Sequence, residues 1–162
     1  MRRGRIKEYA IEKPDAEYFE DGNVWEVPID VALPCATQNE LSLESAKKLV
    51  AGGVKVVAEG ANMPTTREAT DYLLEQGIRL LPGKASNAGG VAVSALEMSQ
   101  NAMQTYRSFE DVDKQLQQIM KNIFKQLVSA SEDYQVDDNF VIGANIAGFR
   151  RVVQVMQAQG YV

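Results

Sequence analysis

The fold is decided by the stretch Val54-Lys55-Val56-Val57-Ala58-Glu59-Gly60-Ala61-Asn62-Met63-Pro64-Thr65-Thr66. Its first five residues are a short apolar run rich in β-branched side chains, which predicts a buried strand. A loop that contains Pro64 follows, and proline lacks the N–H that continued strand pairing would need. Either Thr65 or Thr66 can then cap a helix that runs through Glu75 and ends at Gly77. The stretch therefore predicts a strand, a polar loop and a helix in succession.

The same alternation continues on both sides of this stretch. Upstream, the β-branched run 27–34 predicts a buried strand, and a helix is predicted over 42–50 with Ser42 as its cap. Downstream, a third strand is predicted over 78–81, followed by a loop over 82–90. Three short strands joined by helices require parallel pairing with right-handed crossovers. The sequence thus predicts an α/β fold with the order β-α-β-α-β, which is half of a doubly wound sheet.

After residue 90 the apolar residues recur at three- and four-residue steps, which predicts three C-terminal helices. Their stripes are Val91, Ala95, Met98, Ala102 and Tyr106, then Val112, Leu116, Ile119, Ile123 and Leu127, then Val141, Ile142, Ile146, Phe149, Val152, Val153 and Met156. The third stripe is broad enough to predict a helix enclosed on more than one side. Within it, Gly143 and Gly148 predict close packing against a neighbour, because glycine otherwise destabilises a helix. Asn145 predicts a contact between helices rather than ligand binding.

Less regular segments lie at the N-terminus and between the elements. Residues 2–9 predict one or two amphipathic helical turns. Flexible joints are predicted over 12–24 and 131–138, and no internal repeat or low-complexity linker is present.

Composition excludes several classes of function. The 162 residues carry 17 Lys and Arg against 22 Asp and Glu, and this net charge of -5 disfavours nucleic-acid binding. The apolar runs fall short of the roughly 18 residues that a membrane span needs, and no secretory signal pattern is present. We therefore expect a cytoplasmic protein without a membrane partner. The chain has no His and a single Cys35, which excludes Ser-His-Asp and Cys-His mechanisms within it. No metal-ligand spacing is found, so no metal is expected.

All three predicted strands run into polar loops at their carboxyl ends. These loops are 35–39, 59–62 and 84–87. Ligands of open α/β sheets bind at that edge, so three such loops favour a site there, although Asn, Gly and Ser are also common in turns for structural reasons alone. Ser94, one turn into the following helix, could face the cleft or bond back to its own helix backbone. Cys35 fits a small buried residue better than a reactive thiol.

Four segments resemble, in order and spacing, successive blocks of the hexameric bacterial-type glutamate dehydrogenases. They are LPCATQNEL (33–41), VAEGANMPTT (57–66), PGKASNAGGV (82–91) and GANIAGF (143–149). The resemblance covers the chain from about residue 2 to its end. Leucine and phenylalanine dehydrogenases are related more distantly.

The resemblance implies the second half of a Rossmann-like sheet in residues 1–90 and a helical segment in 91–162 that packs on it as one structural unit. It implies an enzyme that interconverts L-glutamate with 2-oxoglutarate and ammonia by hydride transfer with NADP or NAD, NADP being favoured. It further implies that the cofactor cleft involves Ala36, Thr37, Asn62 and Asn87, and that Val91 and Ser94 approach the substrate, with Ser94 bonding its distal carboxylate.

The family's catalytic Lys and Asp and its Gly-rich pyrophosphate-binding turn have no counterpart in these 162 residues. The chain is therefore expected to be the C-terminal part of a longer, homo-oligomeric enzyme, with no catalytic residue and no activity of its own. Cofactor binding by the chain should be weak or absent, and its open strand edge should favour self-association. The alternatives are a natural small α/β nucleotide-binding or regulatory module without catalysis, and a structural interaction protein built on the last helices.

Overall fold

A computed structural model describes residues 4–136 and 139–160 of the chain. Its elements follow in the order α1 (Ile6–Glu12), a 3₁₀ turn (Val24–Glu26), β1 (Val31–Ala32), α2 (Leu43–Ala51), β2 (Val56–Ala58), α3 (Arg67–Glu75), β3 (Arg79–Leu81), α4 (Gly83–Ser86), α5 (Ala88–Ala102), α6 (Phe109–Asp133) and α7 (Phe140–Gln159). The order begins with alternating strands and helices and ends with helices alone.

The three strands form one parallel sheet in the order β1-β2-β3. Val31 is paired with Val56, and Val57 is paired with Leu80. The helices α2 and α3 supply the two connections, since a tight hairpin cannot join parallel neighbours. The predicted α/β class and the β-α-β-α-β order are confirmed.

The strands are shorter than the sequence predicts. β1 pairs over only two residues, whereas the predicted strand covered 27–34. Pro28 and Pro34 have no N–H to donate, and β1 has a strand partner on one side only among the described residues. The other residues of the predicted strand 27–34 make only isolated backbone hydrogen bonds, such as that from the Lys55 N–H to the Asp30 carbonyl at 2.9 Å.

The main core lies between the sheet and the pair α2 and α3. Both helices begin at the predicted kind of cap, because Ser42 accepts a hydrogen bond from the Ser45 N–H and Thr66 accepts one from the Ala69 N–H, each at 3.3 Å. The core consists of buried apolar residues from the 3₁₀ turn, the three strands, α2, α3 and the segments between them, namely Trp25, Ala32, Leu41, Ala46, Leu49, Val54, Val57, Ala69, Leu73 and Leu80. These helices hold the sheet in place beneath the strand-end loops.

A second, smaller core joins α4 to α6 and α7. Its buried members are Ala85, Leu127, Phe140 and Ala144. Gly143 confirms the predicted close packing, since a Cβ at this position would lie 3.1 Å from the Leu127 carbonyl oxygen and would overlap the Ser131 hydroxyl. The same prediction for Gly148 is wrong, because, apart from its own helix backbone, none of the described residues has an atom within 4 Å of where its Cβ would stand.

The three predicted C-terminal helices are present as α5, α6 and α7, and their apolar stripes are buried to different extents. On α6, Leu127 is buried and Ile123 packs against the second core. On α5 the stripe is exposed, as Met98 shows at 66%, and Tyr106 lies beyond the end of the helix. On α7, Phe149 is 68% exposed, so the prediction of an enclosed helix is wrong among the described residues. None of the helices in the described ranges is long and apolar enough to cross a membrane.

The predicted loop 82–90 is also wrong, because most of it is helical. Pro82 precedes the first residue of α4, where its missing N–H has no helical partner to lose, and α5 starts directly after Asn87. The Gly-, Ser- and Asn-rich composition suggested a loop, yet these residues stand at two successive helix starts.

The predicted segments near both ends extend beyond what the structure describes. The helical turns predicted over 2–9 correspond to α1, which starts at Ile6, and residues 2 and 3 lie outside the described ranges. The joint predicted over 131–138 overlaps α6, and residues 137 and 138 lie outside those ranges.

Candidate functional site

A cleft of about 610 Å³ opens at the carboxyl ends of the strands. It is lined by residues of the loops after β1 and β2 and of the segment that joins α4 to α5, namely Cys35, Ala36, Thr37, Gln38, Gly60, Ala61, Asn62, Asn87 and Val91. Five of the six residues predicted for the site are in this set, and Ser94 is the exception. Their roles in ligand binding stay predictions.

Backbone hydrogen bonds hold the first two loops side by side. The N–H groups of Gly60 and Ala61 both donate to the Pro34 carbonyl, at 2.9 and 3.0 Å. Cys35 is exposed and lies against Gly60, where a Cβ would overlap its sulfur, so the prediction of a buried Cys35 is wrong. The close approach of the two loops thus requires glycine at position 60.

The third segment is tied to the second by side-chain hydrogen bonds. The Asn87 side-chain amide donates to the Ala61 carbonyl at 3.0 Å and to Oδ1 of Asn62 at 2.8 Å. The Ser86 hydroxyl donates to the Glu59 carbonyl at 2.6 Å. These bonds bring Asn62 and Asn87, which are 25 positions apart in the chain, to one wall of the cleft.

Glu59 is a part of this arrangement that the sequence pattern did not single out. It is only 7% exposed, and its carboxylate accepts a hydrogen bond from the Gly83 N–H at 2.6 Å. The sequence does offer one indication of this role, because Glu59 directly follows the apolar strand β2. A carboxylate at such a position is buried only if it has a partner.

Ser94 and Asn145 both form hydrogen bonds within the chain. The Ser94 hydroxyl donates to the Gly90 carbonyl at 3.2 Å, which is the backbone bond that the sequence left open as an alternative. Asn145 on α7 accepts a hydrogen bond from the Lys84 ammonium on α4. That bond joins two helices, as predicted.

Among the residues that the structure describes, no charged side chain lines the cleft. Asp30 and Lys55 form an ion pair, with charged atoms 2.7 Å apart. They lie directly before β1 and β2, at the edge of the sheet opposite the cleft. The hydrogen bond and the charge of Lys55 lower the pKa of Asp30, and Asp30 raises the pKa of Lys55 for the same reasons. Within the described ranges no group of His, Cys, Asp or Glu side chains is placed to hold a metal ion. The cleft can therefore offer hydrogen bonds and apolar contact, without charge neutralisation.

A parallel sheet whose strand ends open onto such a cleft is the arrangement of the nucleotide-binding α/β proteins. Comparison with known proteins gives the family. The chain belongs to the Glutamate/Leucine/Phenylalanine/Valine dehydrogenase family, whose pattern matches residues 1–160.

Two individual relatives of the chain are NADP-specific glutamate dehydrogenases. The NADP-specific glutamate dehydrogenase of Haemophilus influenzae is 52% identical over 160 residues, which cover 98% of this chain and 35% of that protein. That of Salmonella typhimurium is 53% identical over 161 residues, which cover 99% of this chain and 36% of that protein.

Solved structures that superpose on the chain are also glutamate dehydrogenases. A glutamate dehydrogenase from Plasmodium falciparum superposes with a TM-score of 0.92 at 43% identity, covering 99% of this chain and 34% of that one. Plasmodium falciparum glutamate dehydrogenase 2 gives a TM-score of 0.90 at 46% identity, covering 98% and 35%. The chain therefore spans about a third of the length of the relatives that it matches.

Proposed function

We propose that the chain is the C-terminal part of a glutamate dehydrogenase and forms one wall of its cofactor cleft. The whole enzyme would interconvert L-glutamate with 2-oxoglutarate and ammonia, and the bound cofactor would supply hydride transfer. The observation that carries the proposal is the strand-end cleft, because Ala36, Thr37, Asn62 and Asn87 all line it. NADP is favoured over NAD, since the relatives described above are NADP-specific enzymes.

The chemistry of the cleft suits one end of that cofactor. Its lining groups are amides, a hydroxyl and apolar atoms, which fit an uncharged nicotinamide ring and its carboxamide. The family resemblance assigns the cofactor's pyrophosphate to a Gly-rich turn that is not among these 162 residues, and the described residues that line the cleft include no basic side chain. The phosphates would accordingly be held by the part of the enzyme outside this chain, so the chain alone should bind the cofactor weakly.

Substrate contacts belong to the start of α5 in this proposal. Val91 lines the cleft and is 71% exposed, so its side chain is available to the substrate. Ser94 lies one turn further along and is exposed. To bond the distal carboxylate of glutamate, its hydroxyl would exchange the bond to the Gly90 carbonyl for one to the substrate.

The remaining features of the proposal concern the chain as a whole. Residues 1–90 and 91–162 would act as one structural unit, and the parent enzyme would be a cytoplasmic homo-oligomer. The chain has no His, and the described residues that line its cleft include no carboxylate and no amine, so we expect no turnover by the chain alone.

Amide NMR of the isotopically labelled chain during titration with NADP and NAD tests the location of the site. We expect weak binding with shifts at Thr37, Asn62 and Asn87. Asn87→Leu should abolish these shifts. Asn101→Leu is the control, because Asn101 is exposed near the end of α5 and outside the cleft, and it should leave the shifts unchanged. Saturable binding that shifts only residues of α6 and α7 would contradict the assignment. Turnover of glutamate by the pure chain would contradict its predicted inactivity.

A further inference from the structure

A groove runs between α6 and α7 and reaches α4 at one end. The end at α4 is a cavity of about 300 Å³ lined by all three helices, and the rest is a cavity of about 640 Å³ lined by α6 and α7. Both cavities are lined by Gln126, Ala147 and Arg151, so they form one continuous groove. The groove shares no lining residue with the strand-end cleft, and its size is that of a small-molecule site.

The end of the groove at α4 has an apolar wall. Leu127 and Ala144 are buried members of the second core, and Ile123 packs against that core. Gly148 keeps this end open, because beyond its own helix backbone no described residue has an atom within 4 Å of where its Cβ would stand. A short aliphatic chain can therefore lie against this wall and bury apolar surface there.

Two cations that line the groove have no anionic partner among the described residues. Lys84 donates to the amide oxygen of Asn145, which carries no charge, and Arg151 has no hydrogen-bond or ion-pair partner in the described ranges. Arg150 differs, since its guanidinium pairs with the Asp133 carboxylate at 2.7 Å. The described lining of the groove includes no Asp or Glu. In a chain of net charge -5, two uncompensated cations beside an apolar wall indicate a preference for an anion with an apolar part.

We propose that this groove is a second ligand site and binds a short aliphatic carboxylate. Its charged end contacts Arg151 and Lys84, and its tail lies against the apolar wall. The planar guanidinium of arginine offers two parallel N–H groups that match the two oxygens of a carboxylate. The groove lies beyond the first turn of both α6 and α7, where the backbone N–H groups are bonded within the helix. That position favours a carboxylate over a phosphate, because phosphate sites typically use the free N–H groups of a helix start.

The proposal uses no residue of the strand-end cleft, so it does not depend on the dehydrogenase assignment. Calorimetry and amide NMR of the labelled chain with hexanoate measure the binding. We expect saturable shifts at Ala144, Ala147 and Gly148, and none at Thr37 or Asn62. Shifts confined to the cleft, or none at all, would overturn the proposal.

Two analogues of hexanoate separate the contributions of charge and tail. Hexanamide has the same length without the charge, and acetate has the charge without the tail. Each should bind at least about tenfold more weakly, because one loses the charge-assisted hydrogen bonds and the other the buried methylene groups. Equal binding of hexanoate and hexanamide, or tighter binding of inorganic phosphate than of hexanoate, would overturn the choice of a carboxylate.

Substitutions locate the site. Arg151→Gln should weaken hexanoate binding about tenfold, and Gly148→Leu should abolish it by filling the apolar end. Arg67→Gln is the matched control, because Arg67 is an exposed arginine at the start of α3 and outside the groove, and it should leave the affinity unchanged. Arg151 is itself exposed, so its replacement should leave the fold intact, which circular dichroism checks. Unchanged affinity in either groove variant would contradict the assignment.

A longer protein tests whether the groove stays open in a whole enzyme. It joins this chain to the preceding part of the NADP-specific glutamate dehydrogenase of Haemophilus influenzae. We expect hexanoate to bind the longer protein with the affinity that it has for the chain. Loss of binding by the folded longer protein would show that other residues of the enzyme fill the groove, and would overturn its role as a ligand site.

Discussion

Replacing Gly143 with alanine should loosen the contact between α6 and α7. The new Cβ would stand 3.1 Å from the Leu127 carbonyl oxygen and would overlap the Ser131 hydroxyl. Ser131 is 2% exposed, and its hydroxyl donates to the same Leu127 carbonyl at 3.1 Å, so it cannot turn away without losing that bond. The added methyl group therefore meets a site that is already filled.

Three effects set the size of the change in the free energy of unfolding. Forcing an extra methyl group into a packed site costs about 1–3 kcal/mol. Loss of the Ser131 hydrogen bond adds about 1 kcal/mol, and the higher helix propensity of alanine returns about 1 kcal/mol. We expect Gly143→Ala to destabilise the chain by about 1–3 kcal/mol.

Gly148→Ala is the matched control in the same helix. Beyond its own helix backbone, no atom in the described part of the chain lies within 4 Å of its Cβ position, so only helix propensity acts and the chain should gain about 1 kcal/mol. Urea unfolding followed by far-UV circular dichroism measures both variants. Adding Ser131→Ala to Gly143→Ala should recover part of the loss, because it removes the overlapping oxygen. Equal and stabilising effects at both glycines would refute the packing argument.

Further predictions concern other parts of the chain. Thr66→Ala should cost about 1 kcal/mol of unfolding free energy, because it removes the cap of α3. Thr65→Val should leave stability unchanged or raise it, since the buried Thr65 hydroxyl has no hydrogen-bond partner among the residues that the structure describes. Asp30→Asn should lower stability slightly at neutral pH, because the hydrogen bond and charge of Lys55 lower the folded-state pKa of Asp30. The difference should persist down to about pH 4 and should fade as the pH falls further, when Asp30 of the folded chain takes up a proton. Within the whole enzyme, Ser94→Ala should raise KM for glutamate more than KM for NADP.

Features that depend on near neighbours in the sequence are predicted well. Ser42 and Thr66 both cap helices, because a hydroxyl directly before a helical run can accept a hydrogen bond from the free N–H three residues further on. The parallel order of the strands also follows from the sequence, since helical connections allow no tight hairpin.

Features that depend on distant segments are predicted poorly. The stripe on α7 identifies an apolar face, yet Phe149 is exposed because periodicity does not say what covers a face. The sequence predicts a loop at the start of α4, because Gly and Pro are common both in loops and at the first residues of helices. The sequence pattern does not predict the burial of Glu59, because its hydrogen-bond partner, the Gly83 N–H, lies 24 positions away. Asn62 and Asn87, in contrast, were found because strand ends meet at one edge of a parallel sheet.

Turnover by a chimera tests the central claim most directly. The chimera joins this chain to the preceding part of the NADP-specific glutamate dehydrogenase of Haemophilus influenzae, replacing the segment of that enzyme that is 52% identical to it. We predict glutamate-dependent reduction of NADP by the chimera, and its severe loss when Asn87→Leu is introduced. A chimera that folds, as judged by circular dichroism and its assembly state, but does not reduce NADP would contradict the account.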